Sequence, residues 1–380
     1  MYREHRIGAV VPVYNEAAFV GDVLDSLPSF VDRAYPVDDC SSDGSWEMIE
    51  QRASVTVDLD DQPIPVETTT GSPDRSAPEI RPDGAGADTQ SGRDGSEQRK
   101  DGEREEPTPD GGHATAAEVV PIRHETNQGR GGAVKTGYRA ALADGMDIIV
   151  VMDGDGQMDP DQLDRLIDPI VTGVADYAKG NRLATAESRD GMSTWRLFGN
   201  ALLTGLTRVA SGYWQMTDPQ NGYTAISRET LHWLDIDGLY DDYGFLNDIL
   251  VCLNANDARI VDVPMPAVYG DEESGIQYHS FVPRLSLLLA AGFIRRLRST
   301  DAAFGVGPVG ALYGLATLIG VGTAGVVVGT LVTGRPGVDP LDILAVFALC
   351  PLFVVVAVLV ERRSNRDLYV DPARVVEDRV

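Results

Sequence analysis

Two parts of the chain, residues 6–54 and 119–270, alternate short apolar runs with stretches whose apolar residues recur every three or four positions. The runs read as buried strands and the periodic stretches as helices packed on them, the pattern of an α/β domain with a largely parallel sheet. It predicts strands at Ile7–Val13, Arg33–Val37, Val119–Arg123, Asp147–Met152, Asp176–Gly180 and Ala258–Val263. Helices are predicted over Glu16–Ser26, Ser45–Arg52, Gly132–Ala143, Asp161–Val171, Thr194–Ala210 and Phe245–Ala255. Toward the C-terminus the pattern changes. Ala302–Gly334 and Ile343–Val360 carry no charge at all, and each is long enough to cross about 30 Å of hydrocarbon as a helix. Before them, Ser280–Arg298 has Arg284, Arg295 and Arg298 on one stripe, with Leu285, Leu288, Leu289 and Phe293 elsewhere, which suits a membrane interface.

The stretch between the two α/β parts belongs to neither pattern. No Phe, Tyr or Trp occurs between Trp46 and Tyr138, and the span from Asp58 to Glu118 holds 16 acidic against 6 basic residues. Such a segment buries too little apolar surface to offset its ordering entropy, so it reads as a solvated insertion. The expected organisation is an α/β domain from residues 1–54 and 119–275, with an acidic disordered insertion at 55–118. An amphipathic juxtamembrane helix at 280–300, two membrane helices within 302–362 and a tail at 363–380 complete it.

With 32 basic and 58 acidic residues, the 380-residue chain carries a net charge of −26, which argues against a nucleic-acid partner and suits a high-salt interior. The three cysteines, Cys40, Cys252 and Cys350, are too far apart to imply a disulfide framework or a zinc cluster. The apolar run at Ile7–Val13 is too short for a secretion signal.

Ligands of open α/β sheets bind beyond the carboxyl ends of the strands, so the residues there carry the chemistry. Pro12-Val13-Tyr14-Asn15-Glu16 follows the first strand, and Val37-Asp38-Asp39-Cys40-Ser41-Ser42-Asp43-Gly44-Ser45 the second. Asp153-Gly154-Asp155-Gly156-Gln157 follows the fourth and Gly180-Asn181-Arg182 the fifth. Any one could be helix capping, but together they gather acidic and polar groups on one rim. Clustered carboxylates repel unless a cation lies among them. Asp153 and Asp155, with Gln157 as a neutral oxygen ligand, offer hard donors for Mg²⁺ or Mn²⁺, whose shell substrate phosphates would complete. A rival motif, Gly129-Arg130-Gly131-Gly132-Ala133-Val134-Lys135-Thr136, falls one residue short of a phosphate-binding loop, because Val134 stands where glycine is required.

These rim segments resemble the signature of inverting family 2 glycosyltransferases. Asn127-Gln128-Gly129, Gly180-Asn181-Arg182 and Asp218-Pro219-Gln220-Asn221-Gly222-Tyr223 narrow the resemblance to dolichol-phosphate mannose synthases and related polyprenyl-phosphate glycosyltransferases. The resemblance implies a GT-A fold and inverting transfer of a sugar from a nucleotide-sugar donor to a polyprenyl or dolichyl phosphate. The alternative acceptor is a sugar hydroxyl of a lipid-linked glycan or glycolipid, and a more distant alternative is a non-catalytic membrane scaffold. It further implies that Pro12, Tyr14, Glu16, Val37 and Asp39 hold the base and ribose, with Gly154 contributing backbone. Asp153, Asp155 and Gln157 would hold the metal, Arg182 and Arg196 would face the donor diphosphate and lipid phosphate, and Asp218 would lie near the sugar. One departure matters. Where the family carries basic residues in a late loop, this chain has Tyr269-Gly270-Asp271-Glu272-Glu273-Ser274-Gly275. The Gln-x-x-Arg-Trp box of processive synthases is absent as well.

Charge also predicts topology. Arg295, Arg296 and Arg298 precede the first membrane helix and Arg362, Arg363 and Arg366 follow the second, whereas the turn has Arg335 with Asp339 and Asp342. A cell-membrane protein with the catalytic domain and both termini cytoplasmic is expected. Gly310, Gly314, Gly325 and Gly329 fit small-residue helix contacts, within the hairpin or between protomers of a homo-oligomer.

Overall fold

Strand β1 (Ile7–Val13) is buried along its whole length, as a run of seven residues with no charge requires, and it pairs on both sides. The computed structural model to which it belongs describes residues 1–53, 117–183, 194–266, 278–299, 307–333 and 339–373. Nearly all of the expected insertion, the late loop at 269–275 and Arg335 lie outside these residues. On one side of β1 lies β2 (Arg33–Asp38), parallel, and beyond it β3 (Glu118–Val119) and β4 (Ile122–Arg123). A single strand was expected over Val119–Arg123. Pro121 breaks it, and the register sets Pro121 opposite Pro36 of β2, so two residues without an N–H meet where the ladder is interrupted.

On the other side the order runs β5 (Ile148–Val151), β7 (Thr224–Ser227), β6 (Tyr177–Asn181), β8 (Ile260–Pro264) and β9 (Tyr369–Val370). Strand β7 is antiparallel to both neighbours, and the other strand pairings among the described residues are parallel. The sequence reading missed β7, since Thr-Ala-Ile-Ser carries no apolar run, although its Thr224 is 2% exposed.

Helices cover both faces. α1 (Val20–Asp25), α2 (Ser45–Glu50) and α4 (Leu163–Val171) enclose a core around Val11, Val150 and Leu166. α3 (Gly129–Ala143), α6 (Arg228–Trp233) and α7 (Phe245–Ala255) enclose a second around Val10, Tyr138 and Ile249. α1 starts at Val20 rather than at Glu16, and the turn before it is tied to the loop that follows β2. The N–H groups of Asn15, Glu16 and Ala17 donate to Ser41 Oγ, Ser45 Oγ and Asp43 Oδ2 at 2.9, 2.8 and 3.1 Å, and Asn15 has φ 58°. Packing of α3 on β1 depends on Gly137, where a Cβ would lie 2.3 Å from Val10 Cγ1. Gly137→Ala is expected to destabilise the fold by about 1–3 kcal/mol through overpacking, against a helix-propensity gain of about 1 kcal/mol, and thermal unfolding would read the net loss.

α5 (Thr194–Ser211) has an inverted pattern. Among its described side chains, Leu202, Leu206 and Val209 are exposed, whereas Thr204, Thr207 and Ser211 are buried. It packs against α8 (Tyr278–Ser299), which exposes Leu287 and Ile294. Next come α9 (Pro308–Thr333) and α10 (Pro340–Ser364), each long and apolar enough to cross a membrane. Only 11% and 6% of their most apolar windows are buried, which a soluble core helix would not tolerate. They pack antiparallel: Tyr313 Oη donates to Glu361 at 3.2 Å, and further along a Cβ at Gly320 would lie 3.5 Å from Cys350 Sγ. A Cβ at Gly314, Gly325 or Gly329 would meet nothing within 4 Å, so these glycines are not the contacts of the hairpin.

The hairpin is fastened to the α/β body at both ends. Arg296 of α8, 6% exposed, donates to Ala210 O at 2.8 Å and Val209 O at 3.1 Å, and pairs with Glu361 of α10 at 2.5 Å. After α10, Asn365 donates to Gly212 O at 3.1 Å, and β9 then pairs with β8. Residues 369–370, within the tail expected at 363–380, are therefore part of the sheet.

Candidate active site

The carboxyl ends of β5, β6 and β8 and the amino end of the antiparallel β7 share one rim, and a cavity of about 170 Å³ opens there. Asp153, Asp155, Gln157 and Arg182, all singled out in the sequence, line it, joined by Gln220 and Asn221. Each arrives by a different route. Asp153 leaves the end of β5, and the turn at Gly156 (φ 72°) brings Gln157 back, its N–H donating to Asp155 Oδ1 at 2.9 Å. Gly154 gives the close approach to β1: its N–H donates to Pro12 O at 3.3 Å, and a Cβ there would lie 3.1 Å from Val13 Cγ2.

Arg182 follows β6 and forks onto Asp218, Nε to Oδ2 at 3.0 Å and Nη2 to Oδ1 at 3.1 Å, while the Arg182 N–H also reaches Oδ2 at 3.0 Å. Asp218 is 4% exposed. Burial pushes its pKa up, but the Arg182 hydrogen bonds and the charges of Arg182 and Lys179 outweigh that and hold it below the usual carboxylate range. Asp218 is thus an anion at neutral pH that fixes Arg182, behind the cavity wall rather than on it.

The other predicted residues are distributed differently. Tyr14 is 51% exposed and Glu16 half-buried, both on the loop after β1, outside the cavity lining. Pro12 and Val37 are buried in the paired strands β1 and β2. Asp39 is turned inward. Its Oδ1 accepts from Gln128 N at 2.8 Å and from His124 Nδ1 at 2.7 Å, and its Oδ2 from Gly129 N at 2.8 Å. An ionised carboxylate only accepts, so His124 carries its proton on Nδ1, and Thr136 Oγ1 lies 2.9 Å from Nε2. Asp39 thus supplies the negative charge that the N-terminus of α3 favours. Arg196 lies in the first turn of α5, and its side chain is outside the described set.

A basic residue that touches the site was missed. Arg130 donates to Asp153 Oδ1 through Nε at 2.9 Å and Nη2 at 2.7 Å, so the stretch weighed above as a phosphate loop instead steadies the first carboxylate. Its only signal was a basic residue in a glycine-rich helix start. Among the described residues, no group of three or more His, Cys, Asp or Glu is arranged to hold a metal ion. The oxygen-only donor set of Asp153, Asp155 and Gln157 fits a hard divalent ion bound jointly with a phosphate, and does not fit a closed protein cage.

Residues 9–71 and 113–235 match the family model described as Glycosyl transferase family 2. A UDP-N-acetylglucosamine–dolichyl-phosphate N-acetylglucosaminyltransferase of Methanococcus voltae is 33% identical over 151 residues, 40% of this chain and 60% of its own. An undecaprenyl-phosphate mannosyltransferase of Micrococcus luteus is 32% identical over 151 residues, 40% of this chain and 61% of its own. The chain thus spans about three fifths of the length of these relatives. Among solved structures, a Mycobacterium tuberculosis glucosyl-3-phosphoglycerate synthase with Mn²⁺, UDP and glucosyl-3-phosphoglycerate is 16% identical, covering 77% of this chain and 80% of that one at a TM-score of 0.45.

Proposed function

We propose, from the match of residues 9–71 and 113–235 to glycosyltransferase family 2, that the chain transfers a sugar, with inversion, from a nucleotide-sugar donor to a polyprenyl or dolichyl phosphate at the cytoplasmic face of a membrane. The observation that carries this reading is the meeting of the Asp153/Asp155 carboxylates and the Asp218-braced Arg182 in one cavity. Asp153, Asp155 and Gln157 would hold Mg²⁺ or Mn²⁺ with the donor diphosphate; such an ion, when bound, neutralises charge on the leaving group. A lipid phosphate is already anionic, so its attack on the anomeric carbon needs no strong base. It needs its charge steered. Arg182 is suited to this because Asp218 holds its fork in place. Arg196, on the α5 first turn, is the second candidate for that task. Tyr14 and Glu16, on the loop bonded to Ser41 and Ser45, are proposed for the base and ribose.

The lipid acceptor is supported by the body around the site. The exposed Leu202, Leu206 and Val209 of α5 and Leu287 and Ile294 of α8 suit the lipid interface, beside the hairpin whose α10 is held to α5 through Arg296 of α8. The relatives' names supply the same acceptor class. Transfer to a sugar hydroxyl has a weaker basis. Asp248, the helix carboxylate that could serve as its base, is 3% exposed and paired with Arg295 at 2.5 Å.

The return of the chain from α10 to β8 supports an even number of crossings, and the arginines flanking the hairpin support a cytoplasmic body. In a background lacking Cys40, Cys252 and Cys350, a cysteine at Gly337 is expected to react with an impermeant thiol reagent in intact cells. One at the exposed Ser364 should react only after lysis; the reverse pattern would separate the site from its donor. The reaction itself is tested by offering membranes a panel of radiolabelled sugar nucleotides with dolichyl phosphate. One donor should yield a labelled lipid only when the lipid phosphate is added.

A further inference from the structure

Several polar side chains around the cavity already have partners within the protein. Arg130 holds Asp153 and Asp218 holds Arg182. Asn221 accepts from Tyr223 N at 3.0 Å through Oδ1 and donates to Asp218 Oδ2 at 3.4 Å. Gln220 is different. It lines the same cavity, half-buried, and its Nε2 donates to Asn247 Oδ1 at 2.6 Å. Among the described residues, its Oε1 accepts no hydrogen bond.

The bond to Asn247 is the end of a longer chain. Asn247, in the first turn of α7, is fully buried, and its Nδ2 donates to Thr207 Oγ1 of α5 at 2.7 Å. Thr207, also fully buried, donates to Leu203 O at 2.9 Å, one turn back along α5. Chemistry gives this chain a direction. A backbone carbonyl only accepts, so the single Thr207 hydroxyl hydrogen points at Leu203, and Thr207 Oγ1 can only accept from Asn247. Asn247 must then turn its NH2 to Thr207 and its carbonyl to Gln220. Gln220 in turn gives its NH2 to Asn247, and its carbonyl oxygen is the amide's remaining acceptor at the cavity wall. A glutamine held less firmly could offer either end.

A carbonyl oxygen repels phosphate oxygens, so its partner must carry a hydrogen. Next to a donor diphosphate held by Asp153, Asp155 and Arg182, the group that carries such hydrogens is the sugar. We propose that Gln220 is a specificity-determining residue for the transferred sugar, its Oε1 accepting from a sugar O–H or N–H. Asn247 and Thr207 are then positioning residues that set the polarity of its amide. The proposal rests on the reading of this cavity as the site of transfer, and deepens it by assigning a group to the sugar rather than to the diphosphate.

The test uses the full chain in detergent micelles with Mn²⁺. Two ligands are titrated by calorimetry: the UDP- or GDP-sugar that labels lipid in the donor panel, and the nucleoside diphosphate that it releases. Gln220→Met keeps the length of the side chain and loses the acceptor. It should weaken the sugar nucleotide about five- to tenfold, leave the nucleoside diphosphate unchanged, and narrow the preference for that sugar over others on the same nucleotide. The unchanged diphosphate affinity doubles as a check on the fold. Thr207→Val keeps the shape, removes the hydroxyl and lets the two amides turn over; it should weaken the sugar nucleotide about three- to fivefold, again alone. Thr207→Ser keeps the hydroxyl and should match the parent. Equal weakening of both ligands by Gln220→Met would put Gln220 on the diphosphate or its ion and overturn the proposal, as would parental affinity for both. Parental binding by Thr207→Val, or an equal loss in Thr207→Ser, would overturn the positioning role. A parent chain that labels no lipid with any donor would instead overturn the reading of the cavity as a transfer site.

Discussion

Asp155→Asn is expected to reduce sugar transfer by about a thousandfold or more, with little change in stability. The side chain lines the cavity rather than the core, and an asparagine oxygen can still accept the Gln157 N–H that Asp155 Oδ1 accepts at 2.9 Å. What is lost is a negative charge in a site whose electrostatics dominate the barrier, an effect of several kcal/mol in enzymes of this chemistry. After chelation, added Mn²⁺ or Mg²⁺ should restore the parent and not the variant, and Mn²⁺ binding followed by paramagnetic resonance should weaken in parallel. Full activity of Asp155→Asn in metal-free buffer would contradict the assignment of the carboxylates.

The second large effect concerns stability. Arg296→Met is expected to cost about 3–5 kcal/mol, because it leaves the buried Glu361 carboxylate without its cation. It also strips the C-terminal carbonyls of α5, at Val209 and Ala210, of their donors. For a body of this size the thermal midpoint in micelles should fall by on the order of 10 °C. Replacing both partners with apolar residues, Arg296→Met with Glu361→Leu, should recover much of the loss, since no unpaired charge is then buried. A double variant as unstable as the sum of the single ones would show that the pair is not coupled.

Strands β1, β5 and β6 and helices α3, α5 and α7 were legible because each is a long buried run or a clear period, and the Asp153–Gln157 turn was legible because its residue types have a chemical reason to cluster. What escaped lies where tertiary context decides. Strand β7 is half polar and is buried only because β5 and β6 flank it. Strand β9 is two residues long and exists only because the hairpin returns the chain to β8. Asp39 reads as a rim carboxylate, yet the N–H groups at the start of α3 turn it inward. Arg130 and Lys179 gave no periodic signal, since each acts through one partner brought close by the fold: Asp153 for Arg130 and Asp262 for Lys179. The hairpin glycines mislead for a related reason. Spacing alone does not say which helix face is turned to its neighbour, and Gly320 rather than Gly314 or Gly325 faces α10.

The central claim is that a lipid phosphate oxygen displaces the nucleoside diphosphate with inversion. It is tested most directly by isolating the lipid product formed with the preferred donor and determining its linkage and anomeric configuration by nuclear magnetic resonance. The account predicts a sugar C1–O–P phosphodiester to the polyprenol, with an anomeric configuration opposite to the donor's. A glycosidic bond to a sugar hydroxyl, or a phosphodiester with the donor's configuration retained, would contradict it.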